Sequence, residues 1–152
     1  MISSKVSLTA AHCIHYKLED VDHKAEEALF YLGKYYLDND KGEENFIISG
    51  VSQFIIHPDW NTHSQSYDAD IAAAILVRTI KFTEFISPIC IWTSTSNYYD
   101  IVNRRGIVAG YGKTEFSFAA SDRPYWTDLP VVDDATCLRS NPVFSKITSK
   151  RT

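Results

Sequence analysis

Apolar residues recur along this chain in short stretches separated by turn-forming residues, and several alternate with the period of two expected of strands. Val6 and Leu8 alternate with Lys5, Ser7 and Thr9, predicting a strand that runs straight into Thr9-Ala10-Ala11-His12-Cys13. Phe46-Ile47-Ile48 and Val51-Ser52-Gln53-Phe54-Ile55-Ile56 read as a pair of strands. The second stops at His57-Pro58-Asp59, where proline removes a ladder donor. Asp70–Val77 and Gly106–Gly110 are apolar runs bounded by polar or turn residues, the pattern of buried strands, and Leu129–Val132 is another strand. Asp133 or Asp134 caps a predicted short helix over Ala135–Arg139, which ends before Asn141-Pro142. One segment is ambiguous. Ala25, Ala28, Leu29, Leu32 and Tyr36 fall at helical spacing over Lys24–Leu37, while Gly33 and the aromatic stretch Phe30–Tyr36 weaken that reading.

Many short strands at turn-marked intervals predict an all-β chain, an antiparallel barrel or sandwich. Its 152 residues, 45% apolar and 22% charged, match the length and composition of one folded globular domain. The net charge of −4, with basic residues clustered no further than Arg104-Arg105 and Lys150-Arg151, argues against nucleic acid or an anionic membrane as partner. Ile71–Val77, among the longest apolar runs, is far too short to span a bilayer. Ile2-Ser3-Ser4-Lys5 does not have the form of a signal peptide. The three cysteines, Cys13, Cys90 and Cys137, form no CxxC, and an odd count leaves at least one unpaired within the chain. They read either as buried free thiols or as half-cystines with partners elsewhere.

Two residues draw attention as chemistry. His12 at a strand end is either an ordinary structural histidine or a proton carrier. Asp70 opens the apolar run Ile71–Leu76, where a carboxylate must be solvated, capped or paired. It reads either as a strand-end turn residue or as the partner of a histidine, holding one imidazole tautomer.

Thr9-Ala10-Ala11-His12-Cys13 resembles the histidine motif of the trypsin-like serine proteases, and Tyr67-Asp68-Ala69-Asp70-Ile71-Ala72 is similar to their aspartate motif. Lys81-Phe82-Thr83 and Ser87-Pro88-Ile89-Cys90-Ile91 resemble the stretch linking the family's two barrels. Ala109-Gly110-Tyr111-Gly112-Lys113-Thr114 resembles the motif opening the second barrel, with Tyr111 where tryptophan is commoner. Leu129-Pro130-Val131-Val132, followed by Cys137, fits the next strand and helix, so the resemblance runs from Ser3 to the last residue. It implies a chymotrypsin-like double antiparallel β-barrel that is incomplete. About 1–92 would be a first barrel lacking its opening strands, and about 93–152 the first half of a second. It also turns Leu29–Leu37 into a strand.

The family's nucleophile stretch, Gly-Asp-Ser-Gly-Gly, does not occur in these residues, and Gly112 is the last glycine. The resemblance therefore implies part of a secreted serine endopeptidase, carrying His12 as general base and Asp70 as its orienting carboxylate. As written, the chain is expected to be inactive. The alternative is a non-catalytic protease homologue acting as a binding or adaptor protein. Either way the resemblance implies secretion, a protein or peptide substrate, and a protein inhibitor or activating protease as partners. It implies that Cys13, Cys90 and Cys137 bond to partners outside the chain, that this is an internal stretch of a longer protein, and that Tyr67 lines the pocket for the residue next to the scissile bond.

No metal or cofactor is expected. Leu32–Phe46 has the length of the family's calcium loop, with Asp38, Asp40, Glu43 and Glu44 as oxygen donors, but Lys34 stands where its calcium binders place a glutamate. A solvated acidic loop is the favoured reading. His12, Cys13 and His15 do not make a zinc set, because adjacent residues do not easily face one metal. Gly110-Tyr111-Gly112 is half a dinucleotide fingerprint with no following helix.

Overall fold

A computed structural model describes residues 1–16, 21–37, 42–60, 66–91, 98–113 and 121–147. Four antiparallel strands form the main sheet: β1 (Val6–Thr9), β4 (Leu29–Leu32), β5 (Ile47–Ile56) and β6 (Ala72–Leu76), in the order β1-β6-β5-β4. Two short strands, β2 (His15–Tyr16) and β3 (Val21–Asp22), pair beside it. A separate hairpin follows, β7 (Arg105–Gly110) with β8 (Tyr125–Pro130), and then α1 (Asp134–Ser140) and α2 (Phe144–Ile147).

Alternation decides which face of the sheet is covered. On β6, Ala72, Ala74 and Leu76 are buried, while Ala73 and Ile75 are only partly so. On β5 the buried positions are Ser49 and Val51. Val51, Ala74, Leu76, Ile80 and Ile86 form one cluster, with Phe30, Leu32, Ile47 and Phe54 packed against it. Ile80 and Ile86 reach it from the connecting segment after β6, which is bent back by a turn between Thr83 and Ile86.

The sequence reading of two strands across 46–56 is corrected by the structure. β5 is continuous over ten residues: Ser49 and Gly50, the gap between the two predicted strands, pair with Phe30 and Leu29 of β4, and a shift of register follows just beyond them. Val51 faces Leu76 but Gln53 faces Ile75, so Ser52 is one residue extra. Its hydroxyl donates to the Ile75 carbonyl at 3.0 Å. Such a bulge bends and further twists a strand, and here it lies in the middle of a sheet that curls as half a barrel.

The ambiguous segment resolves into a 3₁₀ turn at Ala25–Glu27 and then β4, so the helical spacing is not used. The strand implied over Leu29–Leu37 stops at Leu32, because Gly33 adopts φ +76°. The last predicted strand begins earlier than its apolar core, at Tyr125, and ends at Pro130. The helix forms as read, with Asp133 as its cap accepting the Thr136 N–H at 2.8 Å.

Candidate active site

The pairing of β1 with β6 brings the two candidate residues together. Thr9 faces Ala72 across the antiparallel ladder, so residues just after Thr9 lie beside those just before Ala72. The 3₁₀ turn Ala11–Cys13 lifts His12 off the end of β1, and the turn Tyr67–Asp70 delivers the carboxylate from the other side. Ala69 takes a left-handed φ of +56°, uncommon for alanine, and its carbonyl accepts the Ile71 N–H at 2.7 Å. The sharp reversal places Asp70 at the head of β6.

Both carboxylate oxygens of Asp70 are used on His12. Oδ2 lies 2.7 Å from the ring Nδ1, and Oδ1 accepts the His12 backbone N–H at 2.9 Å. The second bond holds the residue while the first orients the ring. With Nδ1 committed to a carboxylate, Nε2 is the nitrogen available for proton exchange. The His12 side chain is 51% exposed and that of Asp70 19%, so the imidazole meets solvent and the carboxylate largely does not. Burial pushes the Asp70 carboxyl upward, but the hydrogen bonds from the His12 ring and backbone and the charge of His12 outweigh it, and the net shift is below the ordinary value. Asp70 is therefore an ionised, pre-oriented acceptor.

Tyr67 meets the His12 ring edge-on with centroids 6.3 Å apart, and Trp60 packs at a tilt on Tyr67, also at 6.3 Å. Trp60 is 9% exposed, an anchor for the turn that the sequence reading passed over. Its signal was the run His57-Pro58-Asp59-Trp60, read only as a strand stop. His57 N–H bonds the Ile71 carbonyl at 3.0 Å, and the ring Nδ1 accepts the Asp59 N–H at 3.1 Å. A groove of about 470 Å³ runs beside the pair, lined by His57, Asp59, Tyr67, Asp68 and Asp70.

His15, grouped with His12 and Cys13 in the zinc reading, pairs instead with Asp22 across β2 and β3. Among the described residues no three metal-ligating side chains gather. Cys13 and Cys90 are exposed and Cys137 is half-buried, and all three are free thiols. Of the acidic loop donors, Asp38 and Asp40 lie outside the described residues.

The sequence model of the Trypsin family matches residues 1–151. The chain belongs to the trypsin family. It is 35% identical over 167 aligned positions to Serine protease gd of Drosophila melanogaster, covering all of this chain and 31% of that protein. It is 31% identical to Coagulation factor IX of Cavia porcellus, over 92% of this chain and 46% of the relative. A third relative, Venom protease of Bombus pensylvanicus, is 31% identical over 90% of this chain and 53% of its own length. The chain thus spans about a third to a half of these curated relatives. The mostly stranded structure, with its curled half-barrel sheet, is that of an incomplete chymotrypsin-like double barrel. Among the described residues no helix is long and apolar enough to cross a membrane.

Proposed function

We propose that these residues are the part of a secreted trypsin-like serine endopeptidase that carries the general base, His12, and its orienting carboxylate, Asp70. The observation carrying this reading is the double engagement of Asp70 by the His12 ring and backbone N–H. A purely structural histidine has no need of a carboxylate that fixes both its tautomer and its position. In peptide hydrolysis His12 Nε2 takes the proton of a serine hydroxyl as the oxygen adds to the scissile carbonyl. The imidazolium then gives that proton to the departing amine, and Asp70 stays ionised throughout, stabilising the charged ring. A second turn of the same base activates water and frees the enzyme.

The serine and the oxyanion donors would come from a segment outside these 152 residues, since no Gly-Asp-Ser-Gly-Gly occurs among them. The chain alone is accordingly expected to cleave nothing. About 1–92 would belong to the first barrel and about 93–152 to the second. Tyr67, against the His12 ring, would contact the substrate residue next to the scissile bond, and substrates would be proteins or peptides. Cys13, Cys90 and Cys137 would pair with cysteines elsewhere in the secreted protein, which suits three thiols with no partner among themselves. Regulation by a protein inhibitor or an activating protease fits the same reading.

A second reading is a non-catalytic homologue that binds protein partners. Peptide mapping of the natural protein decides between them. A peptide with serine in the Gly-Asp-Ser-Gly slot, together with peptide hydrolysis that His12→Ala lowers about ten-thousand-fold or more, supports the protease. Another residue in that slot, or hydrolysis indifferent to His12, refutes it.

A further inference from the structure

Lys34 is the least expected charge in the molecule. Its side chain is only 8% exposed, and among the described residues its ammonium has no hydrogen-bond partner. The surroundings are nonetheless arranged for a cation. Nζ lies 4.3 Å from the centroid of the Phe46 ring and 5.8 Å from that of Tyr31, and these two rings are themselves stacked. Glu43 Oε2 stands 4.0 Å away.

Glu43 is not the solvated loop carboxylate that the charge pattern suggested. It is 14% exposed, Oε1 accepts the Tyr35 N–H at 2.6 Å, and Oε2 accepts the Tyr36 N–H at 3.1 Å. The carboxylate ties down the backbone just after Gly33. A largely buried carboxylate with no counter-charge would be costly, and among the described residues Lys34 is the cation beside it.

A divalent ion does not fit this place. Calcium takes about six to eight oxygen ligands at roughly 2.3–2.6 Å. Here both Glu43 oxygens are already engaged by amides, an aromatic face occupies one side, and a fixed positive charge lies beside the carboxylate. We propose that the Lys34 ammonium is the resident cation beside Glu43, holding that carboxylate under the Gly33–Leu37 turn and doing by itself what a bound metal would do.

The turn held this way is also where the second hairpin is fastened. The Tyr111 hydroxyl donates to the Lys34 carbonyl at 2.6 Å, and the Leu37 N–H donates to the Asp122 carbonyl at 2.8 Å. An internal cation makes that junction independent of ion supply.

Thermal unfolding of the chain in millimolar calcium and in chelator tests the idea without any substitution. The expected result is the same midpoint in both; a saturable rise with calcium overturns it. Lys34→Met, which keeps the aliphatic stem, adds a local reading by amide hydrogen exchange. Exchange at Tyr35, Tyr36 and Leu37 should accelerate about tenfold or more, with β5 and β6 amides unchanged. Unaltered exchange at Tyr35 and Tyr36 refutes the proposal. Should the variant lose protection everywhere, the calcium comparison on the native chain decides alone.

Discussion

Asp70→Asn isolates the chemistry of the candidate site with almost no change of shape. Asp70 presents only acceptors, one to His12 Nδ1 and one to the His12 N–H. Asparagine keeps one acceptor oxygen and replaces the other with an NH₂ donor. The oxygen can retain the backbone N–H, but the amine then faces Nδ1 and requires it to accept. The ring proton must move to Nε2, which is the wrong tautomer for a general base. A hydrogen bond to a charged group contributes about 1.5–3 kcal/mol. The His12 side chain is half exposed, so solvent screening lowers that figure, and the net cost to folding is about 1–2 kcal/mol.

Nitrogen-15 spectra of the histidine rings report the tautomer directly, and urea unfolding gives the stability change; neither requires a nucleophile. The pH dependence carries a sign. A carboxyl whose folded-state pKa is depressed stabilises the fold fully above its unfolded value, and that contribution disappears as pH falls through the folded value. For Asp70 the ordinary value is 3.8 and the folded one lies below it. The Asp70 contribution to the gap between wild type and variant should therefore be present at neutral pH and be lost only in strong acid. A variant that keeps the Nδ1–H tautomer, or that matches wild-type stability at neutral pH, refutes the reasoning.

Gly33→Ala should destabilise the chain by about 2–3 kcal/mol in urea unfolding, because φ is +76° and a Cβ there would sit 2.8 Å from Ile86 Cγ1 in the core. Leu76→Ala removes the largest fully buried side chain among the described residues and should cost about 2–5 kcal/mol by the same measurement. The β7–β8 hairpin exposes Ile107 at 74% and Trp126 at 71%, so the isolated chain should self-associate in sedimentation. Lysine at both positions should shift it toward monomer, and an unchanged sedimentation profile would show that the apolar contact lies elsewhere.

Local pattern sufficed wherever the determining contacts were themselves local. The Asp133 cap, the end of the helix before Asn141-Pro142 and the strand read from the bounded apolar run Asp70–Val77 all depend on neighbours a few residues away. His12 and Asp70 were singled out for their positions at strand ends, and the family motifs joined them. Their contact, however, spans 58 residues and exists because Thr9 pairs with Ala72 and not one step aside. The reading of 46–56 failed for a related reason. Ser49 and Gly50 look like a turn between two apolar stretches, but their pairing with Phe30 and Leu29 of β4 keeps the strand continuous, and that pairing is not visible in the local pattern.

Lys34 and Glu43 mark a deeper limit. As a charge pattern they belong to a polar loop, and nothing in their spacing distinguishes a solvated pair from a buried one. What buries Lys34 is the stacked pair of Tyr31 on β4 and Phe46 just before β5, brought together by the pairing of Leu32 with Ile47. The environment of a charge is thus set by strand register, and register is a property of the whole sheet. An ionisable residue beside aromatic positions on two strands that will pair is, for that reason, better read as a candidate buried cation than as surface.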